Sequence, residues 1–285
     1  MSDRLARLAP VFVVAEIFTL QFGAAIARDH FDEVGPVGAT LLRLILATIV
    51  LFVVLRPRPW TWGRATWIPV VVLGVALGGM NQLIYLAIDR IPVGIAVTVE
   101  YLGPLALSLV HVRRWKDVIW SLLAIGGVAL LGVQAVQSLD LVGVGLAAIG
   151  GLCWATYILA AARLGDASPD PSTLAMSMAI AALTAMPLGW GGASHAVGDA
   201  RLLGVFLLVA VMSSVIPYLI ELWALRSMAT RVFSVVQSFG PAAGAIGGLV
   251  VLNEVLRWQE VAALLLVTIA SIGVTLTART SSVEA

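Results

Sequence analysis

The sequence predicts an all-α membrane protein, with ten transmembrane helices as two inverted five-helix repeats. Three observations lead there. Of 285 residues, 60% are hydrophobic and only 12% charged, and the mean hydropathy of +1.02 is far above that of a soluble domain. About ten apolar runs are each long enough to cross roughly 30 Å of hydrocarbon. Lys and Arg gather in alternate loops.

The runs follow in order, bounded by charges, prolines or glycines. Leu8 to Ala27 comes after Arg4 and Arg7; its "GAAIA" imitates a signal-peptide cleavage site, but Glu16 interrupts the apolar stretch and the run is span-length, so it is expected to be retained. Next are Val34 to Leu55, Ala65 to Ile88, Pro92 to Val112 and Val118 to Val136. A second set comprises Leu141 to Ala162, Ser172 to Trp190 (which holds Pro187), Leu202 to Leu225, Val232 to Leu252 and Trp258 to Ala278.

With ten spans, Arg4, Arg7, Arg56, Arg58, Arg64, Arg113, Arg114, Lys116, Arg163, Arg226, Arg231 and Arg279 fall on one side. Only Arg28, Arg90, Arg201 and Arg257 fall on the other. Both termini are therefore expected in the cytoplasm.

The chain also repeats itself weakly. "GAAIAR" ending at Arg28 returns as "LAAAR" ending at Arg163, "YLGPLA" around Pro104 as "SFGPAA" around Pro241, and "AIGGVALLG" as "ASIGVTLTA". The shared order predicts two units, residues 8–136 and 141–278. Five spans per unit would invert the second, the plan of secondary transporters with a mid-membrane site. The stripes Gly74/Gly78 and Gly240/Gly244/Gly248 read as close helix packing.

Ionisable groups inside spans are costly and usually functional. Glu16, Arg43, Glu100 and Glu221 qualify. At 1.5 Å of rise per residue, Arg43 and Glu100 both lie roughly 10 to 12 Å below the outer face, and Asn81 and Gln21 share that depth. One reading gives this layer a small zwitterionic substrate, its carboxylate on Arg43 and its ammonium on Glu100. The other has Arg43 and Glu100 neutralise each other as a buried pair. Glu100 is also the natural proton carrier. Pro104 and Pro241 each delete a helix hydrogen bond and predict bends.

Tyr85 shares a face with Asn81, Trp154 and Tyr157 share one of the sixth span, and Gln237 is placed toward the same cavity; packing explains the aromatics equally well. Glu221 is read with Arg226 or Arg231 as a pair, or as a cavity acid, and Glu16 as an interfacial, structural acid. Glu254 and Glu260 are assigned to the outer loop. Cys153 stands alone. His30, His111 and His195 lie at span ends or in loops, and no metalloprotease, nucleophile-elbow or phosphate-loop motif occurs. Neither enzyme chemistry, nor ATP hydrolysis, nor a metal or other cofactor is expected.

The stretch "GGMNQLIYLAIDRIPVGIAVTVEYLGPLAL" from Gly78 to Leu107 closely resembles the threonine/homoserine exporters, a branch of the drug/metabolite transporter superfamily built from two EamA repeats. "LLRLILA" around Arg43, "CWATYIL" from Cys153, "IPYLIELWAL" with Tyr218 and Glu221, and "NEVLRWQEVAALLLVTIASIGVTLTA" extend the likeness over essentially the whole chain. The resemblance implies a multi-pass protein of the bacterial inner membrane that exports small amino acids or related metabolites in exchange for protons. It points to Arg43, Asn81, Tyr85, Glu100, Trp154, Tyr157 and Glu221 as cavity or coupling residues. The implied partners are substrate, protons and lipid bilayer, with no nucleic acid; a homodimer is compatible. Export of other amphiphilic metabolites or drugs, or uncoupled facilitation, is the alternative. The chain departs from its relatives at Gly240, where a Glu often precedes the proline, at Arg28, where a Lys is usual, and at Glu16.

Overall fold

The structure, a computed structural model, describes residues 3–110, 140–168, 170–227 and 236–277, with 119–120, 122–123, 126–127 and 130 between them. The first half contains α1 (Asp3–Asp29), α2 (Phe31–Leu55), α3 (Arg64–Ile88), α4 (Val93–Glu100) and α5 (Leu102–Val110). The second contains α6 (Leu141–Ala167), α7 (Thr173–Ala193), α8 (Ala200–Ala210), α9 (Ile216–Ser227), α10 (Gly240–Leu252) and α11 (Trp258–Thr277). Among the described residues there is no strand. Helices satisfy their own backbone groups, which hydrocarbon cannot do.

Six stretches are long and apolar enough to cross a membrane: Leu8–Asp29, Phe31–Leu55, Arg64–Ile88, Leu141–Gly165, Thr173–Ala196 and Ala200–Glu221. Val93–Leu107, Gly240–Leu252 and Trp258–Gly273 are shorter apolar helices. The expected fifth span lies mostly outside the described residues, as do Arg113, Arg114, Lys116, Arg231 and Arg279.

Prolines shape the helices that face the centre. The break between α4 and α5 falls at Tyr101, where Pro104 offers no N–H to the carbonyl of Glu100. Pro241 stands in the first turn of α10 and leaves the carbonyl of Gln237 in the same condition. The eighth span is not a uniform α-helix. Val211–Val215 forms a π-helical turn joining α8 to α9, next to Pro217, which has no N–H for the carbonyl of Ser213.

Packing relies on small residues, because lipid removes the hydrophobic drive between helices and leaves close van der Waals contact. A Cβ on Gly192 of α7 would overlap the carbonyl oxygen of Val34, and one on Gly38 of α2 would lie 2.8 Å from the backbone nitrogen of Ala193. Gly103 and Gly151 bring α5 and α6 equally close. Gly74 and Gly78 set α3 against Ser177, Ile180, Ala181 and Thr184 of α7. Leu41, Leu44, Leu77, Met178 and Phe206 are buried between these helices, while Ile49, Val53, Ile68 and Leu188 face outward.

Candidate functional site

A cavity of about 830 Å³ lies inside the bundle. Several helices contribute side chains to its wall: Glu16 and Gln21 from α1, Arg43 from α2, Asn81 and Tyr85 from α3, and Glu100 from the end of α4. Trp154 and Tyr157 come from α6, Glu221 from α9, and Gln237 from the turn before α10. The polar and aromatic residues singled out in the sequence thus meet on one surface. Pro104 also lines it. Sequence depth predicts this layer because residues at equal depth on neighbouring helices converge wherever their faces turn inward.

Arg43, 4% exposed, donates from Nη1 to the hydroxyl of Tyr85 at 3.1 Å, with its guanidinium 4.7 Å from the centre of that ring. Its Nε has no hydrogen-bond partner among the described residues. Arg43 and Glu100 share the wall and act on each other electrostatically, yet form no ion pair among the described residues. A guanidinium held at one edge by a phenol keeps its other donors for a carboxylate. Asn81 uses its amide on the carbonyl of Leu77 at 2.7 Å, while Gln21, 5% exposed, has an Oε1 without a hydrogen-bond partner among the described residues.

Tyr101 connects the halves. Its hydroxyl donates to the carbonyl oxygen of Gln237 at 2.8 Å, and its ring meets Trp154 edge to face at 4.7 Å. A Cβ on Gly240 would be in contact with the Tyr101 hydroxyl, so this phenol fills the space beside Pro241. The Gln237 side chain lies 3.5 Å from Glu16 Oε1. Glu16 is 2% exposed and borders the cavity, which corrects its reading as an interfacial acid. Glu221 likewise borders the cavity; the side chains of Arg226 and Arg231 lie outside the described residues.

One end of the cavity reaches Ser168, Asp170 and Pro171 in the α6–α7 turn; the other stops at Ile88 and Val93. That second end is strapped. Glu254, in the loop between α10 and α11, pairs with Arg28 at the end of α1 and accepts from the backbone N–H of Val93 at 2.9 Å. At the same end Arg90 pairs with Asp140 at 2.6 Å and Arg201 with Glu33. Sequence reasoning left Tyr101 and the Arg28–Glu254 pair unused. Tyr101 had a signal, as a phenol beside Glu100 just before a helix-breaking proline, whereas nothing in the chain marks Arg28 and Glu254 as neighbours. No group of three or more His, Cys, Asp or Glu among the described residues is placed to hold a metal ion.

Long apolar helices around a polar cavity are the architecture of a membrane transporter, and the likeness to known proteins defines that class. The chain belongs to the EamA-like transporter family, in the RhtA-like branch of the drug/metabolite transporter superfamily. Residues 141–276 match that family. The chain is 39% identical over 274 residues to the threonine/homoserine exporter RhtA of Escherichia coli (strain K12), covering 95% of this chain and 92% of that protein. It is 40% identical over 263 residues to the protein of the same name from Salmonella typhimurium (strain LT2), covering 92% and 89%. A solved structure described only as "Crystal structure of protein" has the same fold over 98% of this chain and 99% of its own, with a TM-score of 0.58 and 21% identity.

Proposed function

We propose that this protein exports a small amino acid of the threonine/homoserine kind across the bacterial inner membrane, exchanging it for protons by alternating access. The observation that carries this reading is the single cavity wall presenting Arg43 and Glu100 unpaired with each other, in a chain 39% identical to threonine/homoserine exporters. Arg43 receives the carboxylate; Glu100 takes the ammonium or, in the empty cavity, a proton. Ten helices in two inverted five-helix repeats, 8–136 and 141–278, with both termini in the cytoplasm, are part of the proposal. The family match over 141–276 supports the second unit, and the basic loops support the orientation. In that orientation the cavity faces the cytoplasm at the α6–α7 turn, and the Arg28–Glu254 strap closes the outer end.

The test is efflux of labelled threonine or homoserine from proteoliposomes, with and without an imposed proton gradient. Wild type should respond to the gradient and Glu100→Gln should not. Equal, gradient-independent flux in both would remove Glu100 from coupling, and no flux in either would remove the amino-acid assignment. A second reading, export of larger amphiphilic metabolites, draws on the volume: about 830 Å³ lies within the roughly 300–1,000 Å³ range of sites for drug-sized ligands. Resistance to such compounds that survives Arg43→Ala would favour it.

A further inference from the structure

Glu16 is an acid that the reading above leaves unemployed. It is 2% exposed, Gln237 Nε2 approaches one carboxylate oxygen at 3.5 Å, and the other oxygen, Oε2, has no hydrogen-bond partner among the described residues. Both Glu16 and Glu221 border the cavity on helices that pack together, Val13 and Ile17 of α1 sharing a core with Ile220 and Ala224 of α9, and the charge of Glu221 acts on Glu16. Among the described residues, the titratable groups around the two acids are Tyr101 and Tyr157, with Tyr218 on α9 beside Glu221. Helix α10, packed on α1, carries no charged side chain. Arg43, the one Lys or Arg lining the cavity among the described residues, is engaged with Tyr85, and no described cation is within ion-pairing distance of either acid.

Two carboxylates facing one cavity inside a span, with no described cation between them, cannot both remain ionised at low cost. One added proton removes the repulsion and turns a carboxylate that only accepts into a carboxyl that also donates. We propose that Glu16 and Glu221 form a second proton-binding site, apart from Arg43 and Glu100, that holds one proton between the two carboxyl groups when the cavity is empty of substrate. The proton comes from cavity water, and the pair changes from two negative charges to one. The site's role in exchange rests on the proposed export function; its existence does not.

The experiment is therefore made without substrate. The infrared C=O stretch of protonated carboxyl groups is titrated in reconstituted wild type, Glu16→Gln, Glu221→Gln and Glu100→Gln, with circular dichroism confirming that each variant folds. Near neutral pH, wild type should show a protonated carboxyl that Glu100→Gln retains. In Glu221→Gln, Glu16 loses its like-charged neighbour, so its proton affinity should fall at least about tenfold and its titration should move to lower pH, whereas Glu16→Gln should remove that titration. No protonated carboxyl in wild type near neutrality, or one lost only in Glu100→Gln, would overturn the proposal. So would a titration that neither Glu16→Gln nor Glu221→Gln shifts. A transport arm separates the two ideas: protons moved per threonine should fall by one in Glu16→Gln. A wild type that moves no amino acid defeats the export reading and leaves the infrared result standing on its own.

Discussion

The hydroxyl of Tyr101 donates to the carbonyl of Gln237 at 2.8 Å, and that carbonyl is the one Pro241 cannot serve. Tyr101 is itself the break between α4 and α5, three residues before Pro104. The two proline-associated interruptions, one in each half of the chain, are thus tied to each other beside the cavity. Tyr101→Phe keeps the ring against Trp154 and deletes the donor. Leaving this part-buried carbonyl unserved costs up to about 1–3 kcal/mol, so the melting temperature in detergent should fall and efflux should slow. An unaltered melting temperature would mean that another donor serves Gln237.

The strap of Arg28 and Glu254 joins α1 to the loop before α11 and, through the N–H of Val93, to the start of α4. Glu254→Gln keeps the shape and removes the charge. Charge-assisted bonds contribute about 1.5–3 kcal/mol, enough for roughly tenfold more opening at this end. Ile88→Cys, in a background carrying Cys153→Ser, should then react about tenfold faster with an impermeant maleimide added outside. Labelling at the wild-type rate would show that the pair does not hold the closure.

Gly192 and Gly191 are adjacent and expected to behave oppositely. A Cβ at Gly192 would overlap the Val34 carbonyl, whereas one at Gly191 has nothing within 4 Å. Gly192→Ala should destabilise by about 1–3 kcal/mol, seen as a lower melting temperature, while Gly191→Ala should match or slightly exceed wild type. Equal effects would indicate that α2 and α7 separate without cost.

Six of the ten expected spans, and the polar side chains that border the cavity, were legible because hydropathy and helical rise are properties of single segments. Depth follows from counting residues, which is how Arg43, Asn81 and Glu100 were placed together. Azimuth does not follow, since each residue turns the helix by about 100° and a boundary error of one or two residues rotates a side chain off its partner. Hence the sequence left the pairing of Arg43 with Glu100 open, and the hydrogen bond goes to Tyr85 instead. Glu16 looked interfacial because its own segment does not show what α9 and Gln237 place beside it. The π-helical turn at Val211–Val215 shifts backbone bonds, and only Pro217 hints at it.

Asp140 caps α6 by accepting from the N–H of Val142 at 2.8 Å and pairs with Arg90. The bond from Arg90, and then that from Val142, hold its carboxyl below the ordinary carboxylate range. A lowered native pKa gives stabilisation that is present above the unfolded pKa and is lost as pH falls through the native one. Asp140→Asn should therefore lower the melting temperature slightly near neutrality, and the two proteins should converge in acid below the native pKa. A difference that persists in acid would assign the effect to shape rather than charge.

Arg43 offers the sharpest separation of charge from geometry. Its guanidinium lies over the Tyr85 ring and is tethered to the Tyr85 hydroxyl through Nη1, which leaves the Nε edge for a bidentate grip on a carboxylate. Arg43→Lys keeps the positive charge and loses the planar fork and the stacking. If the fork binds the substrate carboxylate, KM for threonine should rise roughly 10- to 100-fold, the equivalent of about 1.4–3 kcal/mol for a charge-assisted pair. Tyr85→Phe should have a smaller effect of the same sign, because the ring still supports the guanidinium while the tether is gone. The double variant should fall short of the sum, since a lysine has no planar face for the ring to orient. Should Arg43→Lys transport with an unchanged KM, a point charge suffices at this position, and the carboxylate must find its bidentate partner elsewhere on the cavity wall.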